Sequence, residues 1–339
     1  MNSAILAIAS YLPGAPVTNS DLAADFPDWD IQRIADKTGI LSRHIAGAAE
    51  CASDLAFEAA QRLFSNGSCT PAEIDYVLLC TQSPDYVLPT TACLLQHRLG
   101  ISKRAGALDF NLGCSGYVYG LGLAHGLIAT GQAKRVLLLT GETYSKYIRP
   151  DDRSAVMIFG DAGSATLIGA TDNTAHTYIP AYTYGTDGSG AEHLIVTGAG
   201  LRERCSLPEP DLNNGPPGTL SMNGPEVFHF ALKVVPACVR ELLEKTGKEM
   251  DEIDLFVFHQ ANRHMLDALR ARLKIPEEKF FVSLASCGNT VSATIPIALE
   301  CALQQQKLKP GNKVMLVGFG VGLSWGATML RWPYLGVSA

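Results

Sequence analysis

The stretch Asp109-Phe110-Asn111-Leu112-Gly113-Cys114-Ser115-Gly116 joins two different patterns in this sequence. Residues 105–111 form an apolar strand pattern, and residues 115–130 form a helical pattern rich in glycine and alanine. A cysteine at this joint lies at the N-terminus of the helix, where partial positive charge lowers the pKa of a thiol. Most buried cysteines are inert small hydrophobes, so the case for a reactive Cys114 depends on the rest of the chain.

Two further polar clusters lie far downstream, and each follows an apolar run. They are His259-Gln260-Ala261-Asn262 and Cys287-Gly288-Asn289-Thr290. A thiol, an imidazole and an amide, each at the end of a buried segment, are the parts of a cysteine acyl-transfer site. The three clusters together therefore indicate an enzyme whose nucleophile is Cys114.

Short apolar runs alternate with amphipathic segments along the chain. The strand patterns cover 4–11, 75–81, 105–111, 135–141, 164–169, 255–259, 313–317 and 327–332, and the helical patterns cover 53–63, 90–99, 115–130, 225–246, 262–273 and 291–306. Ser53 is the residue that we expect to cap the first of these helices. Such alternation predicts an α/β protein whose sheets are mostly buried.

The sequence also repeats itself at low similarity. Three pairs of segments match in the same order and at nearly the same offset: 75–82 with 254–260, 98–101 with 272–275, and 160–168 with 322–330. Three matches in register predict two copies of one α/β unit. We therefore expect an N-terminal half, 1–171, that carries the cysteine and a C-terminal half, 172–339, that carries the histidine and the asparagine.

The composition excludes several classes of protein. Of the 339 residues, 47% are hydrophobic and 18% are charged, as in a chain with a large core. The net charge of −6 argues against nucleic-acid binding. The nine cysteines contain no C-x-x-C pair, which argues against zinc. The sequence contains no run of about 18 apolar residues, so we expect no membrane span. Residues 1–12 are typical of a first strand rather than a signal peptide, so we expect a reducing cytoplasm.

The three clusters, with several other motifs, strongly resemble the β-ketoacyl-acyl-carrier-protein synthase III family of the thiolase superfamily. The resemblance runs nearly from end to end of the chain. Besides Cys114-Ser115-Gly116, His259-Gln260-Ala261-Asn262 and Gly288-Asn289-Thr290, the motifs that carry it are Lys37-Thr38-Gly39-Ile40, Arg43-His44-Ile45, Phe159-Gly160-Asp161-Ala162-Gly163, Met222-Asn223-Gly224-Pro225-Glu226-Val227-Phe228 and Phe319-Gly320-Val321-Gly322-Leu323-Ser324-Trp325-Gly326. They stand in family order and spacing.

The resemblance implies a five-layer αβαβα thiolase fold, a homodimer and a two-step reaction without metal or cofactor. Cys114 would take an acyl group from acyl-CoA or acyl-carrier protein. A decarboxylative Claisen condensation with malonyl-carrier protein would follow, in fatty-acid or related specialised biosynthesis. His259 and Asn289 match the family's decarboxylation pair, and both can donate hydrogen bonds to a developing enolate oxygen. The backbone N–H groups of Cys114 and Val321 would form the oxyanion hole, although the family usually has glycine in place of Val321.

Five further residues fall on positions that contact substrate in the family. Arg153 and Asn262 match positions that contact the pantetheine or nucleotide of coenzyme A, and Lys37 replaces an arginine there. Arg33 stands where studied members have a tryptophan that stacks on adenine, so the primer could arrive on a carrier protein instead. Leu88 matches a residue that enters the acyl pocket of the partner subunit, where phenylalanine is frequent.

Other functions of the same fold stay open at this point. One is acyl transfer to an alcohol or amine without decarboxylation, which differs by the absence of carbon dioxide release. A non-catalytic dimer partner normally lacks the nucleophile, whereas this chain has Cys114, His259 and Asn289. A non-decarboxylating Claisen enzyme needs a carboxylate base at the site, and Glu142 is near a strand end, but no pattern in the sequence places it beside Cys114.

Overall fold

The computed structural model describes residues 2–28, 30–171, 181–204 and 218–332. Its strands are β1 (Asn2–Tyr11), β2 (Val17–Thr18), β3 (Ser42–Arg43), β4 (Tyr76–Cys80), β5 (Gly106–Phe110), β6 (Arg135–Glu142), β7 (Ala162–Thr171), β8 (Ala181–Thr186), β9 (Leu194–Val196), β10 (Leu220–Met222), β11 (Leu255–Phe258), β12 (Phe280–Phe281), β13 (Lys313–Gly320) and β14 (Ser324–Arg331). Its α-helices are α1 (Asn19–Asp25), α2 (Ile31–Thr38), α3 (Ala52–Ser65), α4 (Thr91–Arg98), α5 (Gly116–Ala129), α6 (Arg153–Val156), α7 (Leu201–Arg204), α8 (Gly224–Thr246), α9 (Arg263–Leu273) and α10 (Thr294–Gln304).

Two five-stranded sheets share one topology. The first has the order β5-β4-β6-β7-β1 and the second the order β12-β11-β13-β14-β8. In each sheet the first three strands are parallel and the last two are antiparallel to their neighbours. The repeated segments of the sequence occupy equivalent places, because 75–82 contains β4 where 254–260 contains β11, and β7 corresponds to β14. The prediction of two duplicated halves is therefore confirmed.

Three apolar cores lie between successive layers of sheets and helices. The central core contains residues of α5 and α10 together with the facing sides of both sheets. A second core lies between the first sheet and the outer helices α3 and α4. A third lies between the second sheet and the outer helices α8 and α9. Helix, sheet, helix, sheet and helix therefore form the five-layer αβαβα arrangement that the sequence resemblance implies.

Some local expectations need correction or stay untested. Cys51, not Ser53, occupies the N-cap of α3. The hydroxyl of Ser53 instead donates to Asp85 at 2.6 Å and accepts from Arg98 at 2.8 Å, so it joins α3 to a loop and to α4. The boundary between 171 and 172 falls at the edge of 172–180, which are outside the described residues, and it stays a prediction. None of the described helices combines the length and the apolar composition that a membrane crossing needs.

The ends of the parallel strands bring two of the three polar clusters together, while the third, 287–290, follows a 3₁₀ turn and is held by a bridge from Asn289 to Phe159. Cys114 follows β5, His259 follows β11, and Gly320 ends β13. In α/β proteins, ligands bind beyond the carboxyl ends of the strands. The duplication places these ends of both sheets near one another, so the cysteine of one half can meet the histidine of the other.

Candidate active site

Cys114 is buried at the junction between β5 and α5, with 7% of its surface exposed. Ser115 is the N-cap residue of α5, and its hydroxyl lies 2.7 Å from that of Ser324, the first residue of β14. Gly320 approaches the thiol so closely that an added Cβ would lie 2.9 Å from Sγ. The absence of a side chain at position 320 is therefore what leaves room for the nucleophile.

The electrostatic environment holds this thiol in its neutral form. Burial raises the pKa of the Cys114 thiol to about 12, and the nearby charge of Glu142 adds to the rise. Hydrogen bonds from the backbone N–H groups of Cys114 and Val321 lower this pKa but do not outweigh burial. The expectation that the helix N-terminus lowers the pKa of the thiol below its usual value is therefore wrong. The two N–H groups nevertheless converge on the sulfur.

His259 is fixed on three sides. Its backbone N–H donates to the carbonyl of Val317 at 2.8 Å, which continues the pairing of β11 with β13. Its Nδ1 lies 2.7 Å from the hydroxyl of Thr294, and its ring meets that of Phe319 edge to face at 5.5 Å. Burial lowers the pKa of the imidazole to about 3. The ring is therefore neutral at physiological pH.

Asn289 is held by a β-bridge to the segment that precedes β7. Its N–H donates to the carbonyl of Ile158 at 2.8 Å, and its carbonyl accepts from Gly160 at 3.1 Å. Its side-chain Oδ1 accepts from the N–H of Val291 at 2.9 Å. Because Oδ1 is engaged in this way, the amide presents Nδ2 as a hydrogen-bond donor. No acceptor for Nδ2 occurs among the described residues.

Three neighbouring cavities share lining residues in this region. The central cavity, of about 100 Å³, is lined by Cys114, His259 and Asn289 together. An outer cavity of about 450 Å³ shares Ile158 and Met265 with it. An inner cavity of about 280 Å³ shares Tyr144 and Leu194 with it. The three predicted catalytic residues thus line the smallest of these cavities, which shares lining residues with both larger ones.

The predicted substrate residues divide into two groups. Lys37, Arg153 and Asn262 line the outer cavity. Asn262 has a structural contribution as well, because its Oδ1 caps α9 by accepting from Met265 at 2.9 Å. Arg33 is exposed on α2 but does not line the outer cavity, and Leu88 is 79% exposed and lines none of the three. The site that forms within one chain therefore includes the first three residues and not Arg33 or Leu88.

Sequence reasoning missed a polar wall of the inner cavity. The hydroxyl of Tyr144 donates to Oε1 of Gln82 at 2.8 Å, and Nε2 of Gln82 donates to Oδ1 of Asn111 at 3.2 Å. The hydroxyl of Tyr147 donates to the backbone carbonyl of Gln82 at 3.0 Å. These residues come from two different strand ends and a 3₁₀ turn. No single spacing in the sequence could have grouped them.

Glu142 lies close enough to raise the pKa of the Cys114 thiol, yet its carboxyl group is engaged elsewhere. It accepts from the hydroxyl of Ser292 at 2.7 Å, from the N–H of Gln82 at 3.1 Å and from the hydroxyl of Ser83 at 3.3 Å. Burial raises the pKa of this carboxyl group to about 8. Glu142 lines none of the three cavities. Its position is that of a structural link between β6 and the turn after Asn289, not of a base facing substrate.

Family models and a curated relative all match this chain to 3-oxoacyl-acyl-carrier-protein synthase III. Residues 108–188 match the model of the family 3-oxoacyl-acyl-carrier-protein synthase III, and residues 243–332 match the model of its C-terminal region. A β-ketoacyl-acyl-carrier-protein synthase III from Caldanaerobacter subterraneus is 36% identical over 328 residues, with 97% of each chain covered.

Solved structures agree in fold as well as in sequence. A crystal structure of a 3-oxoacyl-acyl-carrier-protein synthase III superposes with a TM-score of 0.93 at 49% identity, covering 98% of this chain and 100% of the other. The priming β-ketosynthase of the R1128 polyketide pathway superposes with a TM-score of 0.85 at 31% identity, covering 98% and 96%. At this coverage, each superposition includes both sheets.

Proposed function

The chain belongs to the 3-oxoacyl-acyl-carrier-protein synthase III family, and from this premise we propose that it is an acyltransferase that condenses a Cys114-bound acyl group with a malonyl thioester. The observation that carries the proposal is the central cavity, where the thiol, the imidazole and the amide face one space. The outer cavity would admit the thioester arm, and the inner cavity would receive the acyl chain.

In the first half-reaction, the sulfur of Cys114 attacks the carbonyl carbon of an acyl thioester. The N–H groups of Cys114 and Val321 lie beside the sulfur, and they would donate hydrogen bonds to the oxyanion that forms on the carbon attached to it. The carbon–sulfur bond of the donor then breaks. The proton of the Cys114 thiol ends on the departing donor thiol, and the acyl group stays on Cys114.

In the second half-reaction, the bond between the carboxylate and the α-carbon of the malonyl group breaks, and carbon dioxide leaves. The electron pair forms an enolate, whose oxygen accepts hydrogen bonds from His259 and Asn289. The α-carbon attacks the acyl carbonyl on Cys114, and the carbon–sulfur bond to Cys114 breaks. The product is a 3-oxoacyl thioester, and the free sulfur regains a proton.

A homodimer would complete the inner cavity. Tyr86, Val87 and Leu88 are 61%, 86% and 79% exposed, which is unusual for consecutive apolar side chains. We infer that this loop packs against a second copy of the chain and that Leu88 borders the partner's acyl pocket. The cytoplasmic location inferred from the cysteine pattern stays a prediction.

The lining of the outer cavity is suited to a phosphate-bearing donor of the primer. Lys37 and Arg153 supply positive charge there for phosphate groups, in coenzyme A or in a phosphopantetheine arm. Arg33 lies on the same helix as Lys37 but outside the lining. The family resemblance, which has a stacking tryptophan at this position, is the basis for expecting Arg33→Trp to raise the use of acyl-CoA relative to acyl-carrier protein, since stacking on adenine adds about 1–3 kcal/mol. An unchanged ratio of the two rates would leave Arg33 as a solvent-exposed residue.

The proposed function is tested by intact-mass measurement and carbon dioxide release. After incubation with acyl-CoA or acyl-carrier thioesters, the parent should gain one acyl group, and Cys114→Ala should gain none. Cys238→Ala, which removes another buried thiol in the outer core, should be acylated like the parent. With malonyl-carrier protein, the acylated parent should release carbon dioxide. Acyl transfer without that release would support the alternative of transfer to an alcohol or amine.

A further inference from the structure

The turn that follows Asn289 contacts both residues assigned to decarboxylation. Val291 begins a 3₁₀ turn, Val291–Ala293, which leads directly into α10 at Thr294. The N–H of Val291 donates to Oδ1 of Asn289, and the hydroxyl of Thr294 meets Nδ1 of His259. One turn of chain therefore touches the two side chains on the faces that point away from the central cavity.

The backbone conformation of this turn is unusual. Val291 has a φ of +55°, in the left-handed region that β-branched residues rarely adopt. Val291 is also almost completely buried, so its surroundings hold it in that conformation. The conformation directs its N–H back at Asn289. Uncommon backbone conformations held by their surroundings are concentrated at functional sites.

The hydroxyl of Thr294 has one proton and two acceptors in reach. The carbonyl of Val291 lies 3.0 Å away, and Nδ1 of His259 lies 2.7 Å away. The carbonyl of Val291 already accepts from the backbone N–H of Thr294. Nδ1 has no other partner among the described residues, and it is closer. We therefore take the hydroxyl of Thr294 as the donor of a hydrogen bond to Nδ1, which itself carries no proton.

We propose that Thr294 is a positioning residue that holds the His259 imidazole as the tautomer with its proton on Nε2. A nitrogen that accepts a hydrogen bond carries no proton, so Nδ1 is the bare nitrogen of the neutral ring. Nε2–H then faces the central cavity as a donor. Val291 completes the arrangement by turning the amide of Asn289 so that Nδ2 is the second donor.

This inference rests on the proposed function, because two aligned donors are what an enolate oxygen requires. The inference explains why the neutral ring of His259 presents a donor, Nε2–H, and not an acceptor to the central cavity. Without a donor at Nδ1, the ring could place its proton on either nitrogen. The fraction of molecules with Nε2–H, and with it the rate of decarboxylation, would fall. Formation of the acyl enzyme does not use this donor and should be nearly unaffected.

The experiment compares Thr294→Val, which removes the hydroxyl, with Thr294→Ser, which keeps it. Thr183→Val is the matched control, because Thr183 is an equally buried threonine whose hydroxyl bonds Cys238 away from the site. Acylation is followed by intact mass. Decarboxylation is followed as carbon dioxide release in a single turnover of fully acylated enzyme with malonyl-carrier protein.

Thr294→Val should slow decarboxylation by about tenfold, the worth of one buried hydrogen bond, and acylation by less than about twofold. Thr294→Ser and Thr183→Val should match the parent in both steps. ¹⁵N NMR of the resting parent should show the proton of His259 on Nε2 and a bare Nδ1, and Thr294→Val should reduce the Nε2–H signal.

A proton on Nδ1 in the parent would overturn the proposal, as would a Thr294→Val enzyme with parental decarboxylation. Equal slowing of both steps would also overturn it, since that result indicates general damage to the site. The NMR measurement does not depend on activity. A parent that acylates but releases no carbon dioxide would therefore refute the proposed condensation and leave the tautomer assignment to be decided by the spectrum.

Discussion

Asn289→Asp removes the Nδ2 donor of Asn289 and keeps an oxygen that can accept the hydrogen bond from the N–H of Val291. In the parent, the N–H of Val291 donates to Oδ1 of Asn289 at 2.9 Å. A carboxylate at this position still offers an oxygen to that N–H, so the turn should keep its conformation. The Nδ2 donor, however, is replaced by an oxygen that cannot donate. Loss of one preorganised donor to a developing oxyanion costs about 3 kcal/mol, which is a factor of about a hundred in rate. The negative charge beside an enolate can only add to this loss.

The assay separates the two half-reactions. Acylation of Cys114, measured by intact mass, should stay within about threefold of the parent, because the N–H groups of Cys114 and Val321 serve that step. Carbon dioxide release from the acylated enzyme should fall by at least about a hundredfold. Asn289→Ala should show the same kinetic loss and, in addition, a lower free energy of unfolding by about 1–3 kcal/mol, because the buried N–H of Val291 loses its acceptor.

Two results would refute the reasoning. Parental decarboxylation by Asn289→Asp would show that Nδ2 does not stabilise the enolate. A loss of acylation equal to the loss of decarboxylation would show that Asn289 supports the whole cavity and not one oxygen. The unfolding measurement on both variants distinguishes the second result from a destabilised protein.

Three more outcomes follow from the same geometry. Since the pKa of Cys114 is about 12, its alkylation by iodoacetamide in the free enzyme should rise with pH without a plateau below pH of about 10, and a plateau near neutrality would contradict the burial argument. Gly320→Ala places a methyl group 2.9 Å from Sγ and should abolish acylation, whereas Gly126→Ala, with open space at its Cβ, should be acylated normally and gain about 0.5–1 kcal/mol of stability. Leu88→Phe should restrict acylation to shorter primers in a panel of acyl thioesters, and an unchanged chain-length profile would count against a place for Leu88 in the partner's pocket.

Much of this fold could be predicted from the sequence because its signals are local or repeated. The apolar run 75–81 became β4, and the helical pattern 225–246 became α8 with one additional residue at its start. The matched segments 75–82 and 254–260 predicted the duplication, because they contain the equivalent strands β4 and β11. Helices α1 and α2 had no comparable signal, since short amphipathic segments beside a proline-rich loop do not produce a long periodicity.

The site was predictable in its residue types but not in its electrostatics. The position of Cys114 before α5 suggested an acidic thiol, whereas burial and Glu142 raise its pKa. The sequence gives no measure of burial at a single atom, and desolvation is the larger of the two effects. Thr294 was equally hidden, because the contact with His259 joins residues 35 positions apart in the chain.

The active cavity joins two groups of residues that come from different halves of the molecule. Cys114 belongs to the first half, while His259, Asn289 and the backbone N–H of Val321 belong to the second. The hydroxyl contact between Ser115 and Ser324 and the β-bridge between Phe159 and Asn289 cross the same boundary. In the proposed acylation step, the second half would therefore supply the N–H of Val321 as a donor beside the thiol of the first half. The duplicated fold thus has no complete site in either half alone, and the two copies could diverge into a nucleophile-bearing unit and a donor-bearing unit.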